Sequence, residues 1–263
     1  MSGPDEAPPR ATACFTFDNM GEAAEVGAGT LRGARPLGGP DADPSLAIGY
    51  PRLLELLDRH GMRATFFLEG WNGEHHPEAV RRVVERGHEL GMHGHLHETW
   101  SELDPAREAR LAERATRALE DAAGLRPRGF RAPGGRRTAS TGTILRRLGY
   151  AYDASLGDGM RPVLLPGGLA QVPFVWPGVD GFHYLRREPA SPAEVRARWL
   201  AALERAAERR GLFVLVCHAH VTGVDPGRLA VLDAVLAAAR GDPRIDVRTA
   251  GEVAASIAAA AER

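Results

Sequence analysis

The chain contains no lysine; all 33 basic residues are arginine. That excludes a phosphate-loop lysine, a Schiff-base lysine and a lysine general base. Cysteine is nearly as scarce. Cys14 and Cys217 are the only two, both inside apolar runs, and they read as buried thiols, not as a disulfide framework. No apolar stretch reaches the roughly 20 residues that cross a bilayer, so no membrane span is expected. Neither sign of charge dominates: a formal net charge of -1, with no basic block, leaves no footprint for nucleic acid. Residues 1–10 (MSGPDEAPPR) lack the apolar segment of a secretory signal and read as a flexible N-terminal segment, so a cytoplasmic protein is expected.

What is present suits one α/β domain over 11–263. Short apolar runs at 11–17, 64–68, 88–92, 128–131, 150–155, 171–175, 212–217 and 245–248 read as strands. Between them, 51–60, 77–86, 104–123, 138–148, 191–210, 226–240 and 251–261 have helical spacing, several with proline at the start and glycine at the end. Alternation at this pitch predicts a parallel sheet curled into a closed or nearly closed barrel. The long Gly/Pro/Asp-rich stretch at 21–49 is expected to act as a lid over a compact substrate.

Function in such barrels gathers at the C-terminal ends of strands. Those ends carry Asp18, Asn19, Trp71, His93, His97, Arg131, Asp153, Trp176 and His218. The stretch around His93 is the densest signal: His88, His93, His95 and His97 are four of the chain's ten histidines. His93 and His97 stand four apart, so a helical turn, or an extended run bending into one, aims both imidazoles at one point. Two neutral imidazoles converging in this way suit a zinc-like cation.

The segments Thr16-Phe17-Asp18-Asn19, His93-Gly94-His95-Leu96-His97, Arg131-Ala132-Pro133-Gly134-Gly135, Tyr152-Asp153-Ala154-Ser155 and Leu215-Val216-Cys217-His218 resemble, in order, the motifs of the polysaccharide deacetylase superfamily (NodB-homology, carbohydrate esterase family four). His97-Glu98 and Val172-Pro173-Phe174-Val175-Trp176 look more like its intracellular peptidoglycan-deacetylase-like and allantoinase-like branch. The resemblance implies a single-domain distorted (β/α) barrel and one divalent metal, zinc or alternatively cobalt or nickel. It also implies His93 and His97 as ligands, Asp18 as general base, Arg131 orienting that aspartate, and His218 as general acid, with Asp153 expected to hold His218 in its charged form. Trp71, Pro133 and Trp176 are candidates for the substrate cleft. The family's third ligand is an aspartate, and Asn19 stands in its place. Three arrangements remain open: Asn19 ligates weakly; Asp18 ligates and the base lies elsewhere; or the site has lost its metal. Glu22 or Glu25 are candidates to replace the missing carboxylate.

The function expected is metal-dependent hydrolysis of a C–N amide bond, in an amino sugar or a small amide or imide. The alternative is a non-catalytic small-molecule or carbohydrate binder on the same fold. Self-association is left open, and neither nucleic acid nor membrane is expected as a partner.

Overall fold

The computed structural model describes residues 10–19, 21–36 and 39–261. Most of the N-terminal segment, residues 1–9, lies outside them, as do residues 37 and 38 of the expected lid.

Among the described residues nine strands form one sheet: β1 (Ala11–Asp18), β2 (Thr65–Leu68), β3 (Glu89–Met92), β4 (Gly129–Phe130), β5 (Tyr152–Asp153), β6 (Val163–Leu164), β7 (Ala170–Gln171), β8 (Leu212–His218) and β9 (Ile245–Val247). The order is β6-β7-β5-β4-β3-β2-β1-β8, with β9 pairing β1, and every pairing but β6 with β7 is parallel. β1 and β8 are buried almost throughout, because helices cover one face and the barrel interior the other.

Among the described residues ten α-helices accompany the sheet: α1 (Ala23–Gly27), α2 (Tyr50–His60), α3 (Gly70–His75), α4 (Pro77–Glu85), α5 (Pro105–Ala123), α6 (Thr141–Arg147), α7 (Asp180–Tyr184), α8 (Pro192–Arg209), α9 (Pro226–Gly241) and α10 (Ala250–Ala261). The long ones begin where local chemistry dictates. Asp104 accepts from the amides of Ala106 and Arg107, and Ser191 with Glu194 forms a reciprocal capping box. One apolar core lies between helices and sheet, and a second, including Cys14, Phe67, Tyr152, Phe174 and Val214, fills the barrel.

The α/β barrel expectation holds, with a curled sheet that stays open. On its other side β8 has no further ladder among the described residues, just an isolated bridge between Val216 and Val179. Two expected strands, 150–155 and 171–175, shrink to two-residue ladders, since the chain there turns to build the site. α1, α3 and α7 were not expected. They are five or six residues long, rich in glycine or aromatics, and too short to show a period. The stretch at 21–49 is no bare loop: it holds α1 and a π-helical turn, Ser45–Gly49. Gly27 backs so closely onto Leu96 that a Cβ would lie 2.1 Å from its carbonyl oxygen. Among the described residues no helix is long and apolar enough to cross a membrane.

Candidate active site

Parallel register brings the first pair together. Asp18 and His218 are directly opposite at the C-terminal ends of β1 and β8. His93 follows β3 and Arg131 follows β4, each continuing the ladder by one backbone bond: His93 N–H to the Leu68 carbonyl, 2.8 Å, and Arg131 N–H to the Met92 carbonyl, 3.0 Å. All four therefore end on the same rim.

Arg131 is buried beneath Asp18. Its Nη1 donates to Asp18 Oδ1 and Thr16 Oγ1, both at 2.7 Å, and Nε donates to the Ala154 carbonyl at 2.8 Å. The guanidinium lies over the Phe67 ring at 4.3 Å. A buried, multiply bonded arginine of this kind has little freedom, so it fixes the orientation of the Asp18 carboxylate.

His93 Nδ1 lies 2.9 Å from the Arg131 carbonyl oxygen. That partner can only accept, so Nδ1 carries the proton and Nε2 keeps its lone pair. Burial pushes the His93 pKa down to about 3 despite the nearby Asp18, so the ring is neutral. Burial likewise lowers His97, reinforced by His218. The two rings meet at a centroid distance of 5.1 Å. They do so through a tight loop, not the expected helical turn. Gly94 (φ 73°) and His97 (φ 55°) are both left-handed, and Glu98 accepts from the amides of His95 and Leu96 at 3.0 Å each. Gly94 is required there, since a Cβ would meet Glu98 Oε2 and Pro133 Cγ at 2.9 Å.

Asn19 completes the cluster. It too is left-handed (φ 57°), which asparagine tolerates, and its Oδ1 is buried without a hydrogen-bond partner. Neutral His93 and His97 and this orphaned amide oxygen form a donor set that fits a divalent cation. Among the described residues, no three His, Cys, Asp or Glu side chains converge closely enough to hold one by themselves, so a cation here would also draw on the amide.

His218 is held by a residue that sequence reasoning missed. Asp180 Oδ1 lies 2.5 Å from His218 Nδ1, while Asp180 Oδ2 accepts from the His218 amide (2.8 Å) and the Thr222 hydroxyl (2.7 Å). Burial alone would lower the His218 pKa, but the Asp180 carboxylate outweighs it and holds the pKa above its ordinary value. Asp180 opens α7, and the one available signal was a lone carboxylate in the otherwise uncharged run at 172–184.

Asp153 therefore does not do what was expected of it. It is bonded to Arg137 Nη1 at 2.7 Å and to the Ser155 hydroxyl at 2.5 Å, and Ser155 in turn accepts from the Ala132 amide. Through these contacts its carboxylate props up the turn after Arg131, while the His218 ring is held by Asp180. Two further expectations fall. Trp71 stacks on His75 at 3.4 Å, carried away from the cleft by α3. Pro133 is buried against Gly94, while its neighbours Ala132, Gly134 and Gly135 line the cleft. Glu22 bonds His76 (3.0 Å) and the Arg35 amide (2.8 Å), and Glu25 faces Arg35 (3.7 Å), so neither supplies the missing carboxylate.

The cleft encloses about 260 Å³. Asp18, Asn19, His93, His97, His218 and His220 form its polar floor, and Phe174, Trp176, Val179, Phe182 and Leu185 form an apolar wall. Trp176 is 39% exposed at the mouth. Among the described residues none of 21–49 lines it, so the expected lid does not cover this cleft.

Residues 39–152 match the polysaccharide deacetylase family. The chain is 37% identical over 111 residues to the peptidoglycan deacetylase-like protein FGM2 of Gibberella zeae, covering 41% of this chain and 33% of that one. It spans only about a third of the length of the curated relatives it matches. A solved Mycobacterium smegmatis structure, classed with the polysaccharide deacetylases, superposes with a TM-score of 0.84 at 28% identity, covering 99% of this chain and 94% of that one. The PuuE allantoinase shares the fold at a TM-score of 0.80 and 19% identity, covering 96% and 94%. Motifs, topology and these matches agree: residues 39–152 match the polysaccharide deacetylase family, and the chain has the fold of the NodB-type (β/α) barrels it resembles.

Proposed function

We propose that this protein hydrolyses a C–N amide bond in a compact N-acyl amino sugar or small amide, with a divalent cation, zinc or alternatively cobalt or nickel, held by His93, His97 and Asn19. The observation that carries this reading is the facing pair of Asp18, oriented by Arg131, and His218, charged by Asp180, across one small cleft. The cation would supply Lewis acidity toward the scissile carbonyl and lower the pKa of a water. The chain's own groups supply the rest. Asp18 Oδ1 is taken by Arg131, so Oδ2 is the oxygen that accepts the proton of the attacking water. His218, with Nδ1 tied to Asp180, gives the Nε2 proton to the leaving nitrogen as the C–N bond breaks, releasing an acid and an amine. The apolar wall and the absence of arginine from the lining among the described residues favour a neutral acyl group, and Trp176 offers a face for a sugar ring.

The replacement of a carboxylate by Asn19 supports a second reading, a small-molecule or carbohydrate binder that does not turn over its ligand. A screen of N-acetyl and N-formyl amines in the presence of zinc, cobalt or nickel separates the two. In the hydrolase, Asp18→Asn and His218→Gln each lower kcat by about 10²–10⁴-fold while leaving the melting temperature within a few degrees. Saturable binding of these compounds with no acid released by the unmodified protein favours the binder.

A further inference from the structure

A second and larger cavity, of about 1050 Å³, lies on the opposite side of residues 175–183 from the candidate active site, between α8 and the start of β8. Its floor is apolar, with Trp199, Leu212, Phe213, Val175 and Pro177, and its polar back wall is already satisfied: His183 Nε2 and Trp199 Nε1 both bond the Pro177 carbonyl. Its rim carries five arginines, Arg161, Arg198, Arg205, Arg209 and Arg210, and among the described residues no aspartate or glutamate lines it. In a chain with 33 basic and 34 acidic residues that is a marked segregation of charge.

The arginines are also placed and unspent. On α8 the row 197, 201, 205, 209 reads Ala, Ala, Arg, Arg, and the next row, 198, 202, 206, 210, reads Arg, Ala, Ala, Arg. Small side chains thus leave the trough open while arginines stand at its ends. Arg198 has a loose carboxylate neighbour in Glu194 at 3.6 Å; Arg161, Arg205, Arg209 and Arg210 have no ion pair among the described residues. Arg210 ends the helix in a left-handed conformation (φ 51°), a position where glycine is ordinarily favoured. Arg210 nevertheless lines the cavity.

We infer that this cavity is a binding site for an anionic amphiphile, a long-chain carboxylate whose hydrocarbon lies along the apolar trough and whose head pairs with Arg205, Arg209 and Arg210. The volume lies just above the ~300–1,000 Å³ of small-molecule sites, room for an extended chain, and guanidinium forks suit a carboxylate. An occupant would rest against residues 175–183, the segment that carries Asp180 on its other side. The site stands whether or not the hydrolase reading does.

The test is calorimetric titration of the full chain with dodecanoate below its micellar concentration, with dodecyl maltoside as an uncharged control. One-to-one saturable binding is expected, weakened about tenfold or more by Arg205→Glu/Arg209→Glu and by Ala201→Trp, which fills the trough. Both changes fall on exposed positions of α8, and melting curves confirm folding. Three results would overturn the inference: no saturable binding, equal binding by both variants, or equal affinity for the uncharged control. A fourth is a dimer in sedimentation that the double arginine variant dissociates, since a second copy would then be the occupant.

Discussion

At the scale of single residues, the site depends on which carboxylate serves which base. Asp180 places three accepted hydrogen bonds on the His218 side, whereas Asp153 serves Arg137 and Ser155. The two aspartates should therefore separate in their effects. Asp180→Asn is expected to lower kcat by about 10²-fold or more, by withdrawing the charge that holds His218 protonated. Asp153→Asn is expected to cost about 1–3 kcal/mol of stability with a smaller loss of kcat. Comparing kcat and melting temperature for the two variants checks both. Glu22 gives a pH test remote from this chemistry. Burial works to raise its pKa, but the bonds from His76 and the Arg35 amide win, and it lies below the ordinary value of 4.5. A depressed carboxylate stabilises the fold above its unfolded pKa and loses that stabilisation as pH falls through the folded one. Between about pH 5 and 3 the unmodified protein should thus lose melting temperature faster than Glu22→Gln, and parallel curves would remove Glu22 from the account.

At the scale of elements, much of the arrangement was legible because buried parallel strands are continuous apolar runs ending in polar residues. β1 and β8 were read within one residue, and with them Asp18, Asn19 and His218. His93, His97 and Arg131 followed in the same way. What was illegible lies where structure is shorter than its own period or is made by tertiary contact. α7 is five residues long, so beyond one lone carboxylate in its run the sequence held no sign that Asp180, 38 residues before His218, would reach it. Trp71 was misplaced because α3, with two glycines in six residues, gave no helical signal. For the loop between β3 and α5 the spacing of the histidines suggested a helical turn or an extended run bending into one, and two left-handed residues make it instead. Gly94→Ala tests that loop directly. A Cβ at φ 73° and 2.9 Å from two neighbours should cost about 1–2 kcal/mol and displace both histidines, so activity should fall much further than melting temperature. Full activity in that variant would contradict the loop's role.

At the scale of the whole molecule, an open barrel leaves a seam, and residues 175–183 partition it into two clefts of different character. One is small, lined by histidines and aromatics, and the other is large, apolar and rimmed by arginine. The fold and the likeness to polysaccharide deacetylases follow from topology and motifs. The proposed catalysis depends on whether two imidazoles and the Asn19 amide retain a cation where a carboxylate is absent. The most direct measurement is the metal content of the purified full chain beside His93→Ala/His97→Ala, with amide hydrolysis followed on the same samples before and after chelation. The account predicts about one equivalent of divalent metal in the unmodified protein, its loss in the double variant, and hydrolysis that falls and returns with the metal. Protein that takes up no zinc, cobalt or nickel, or that hydrolyses amides equally well after chelation, would contradict it.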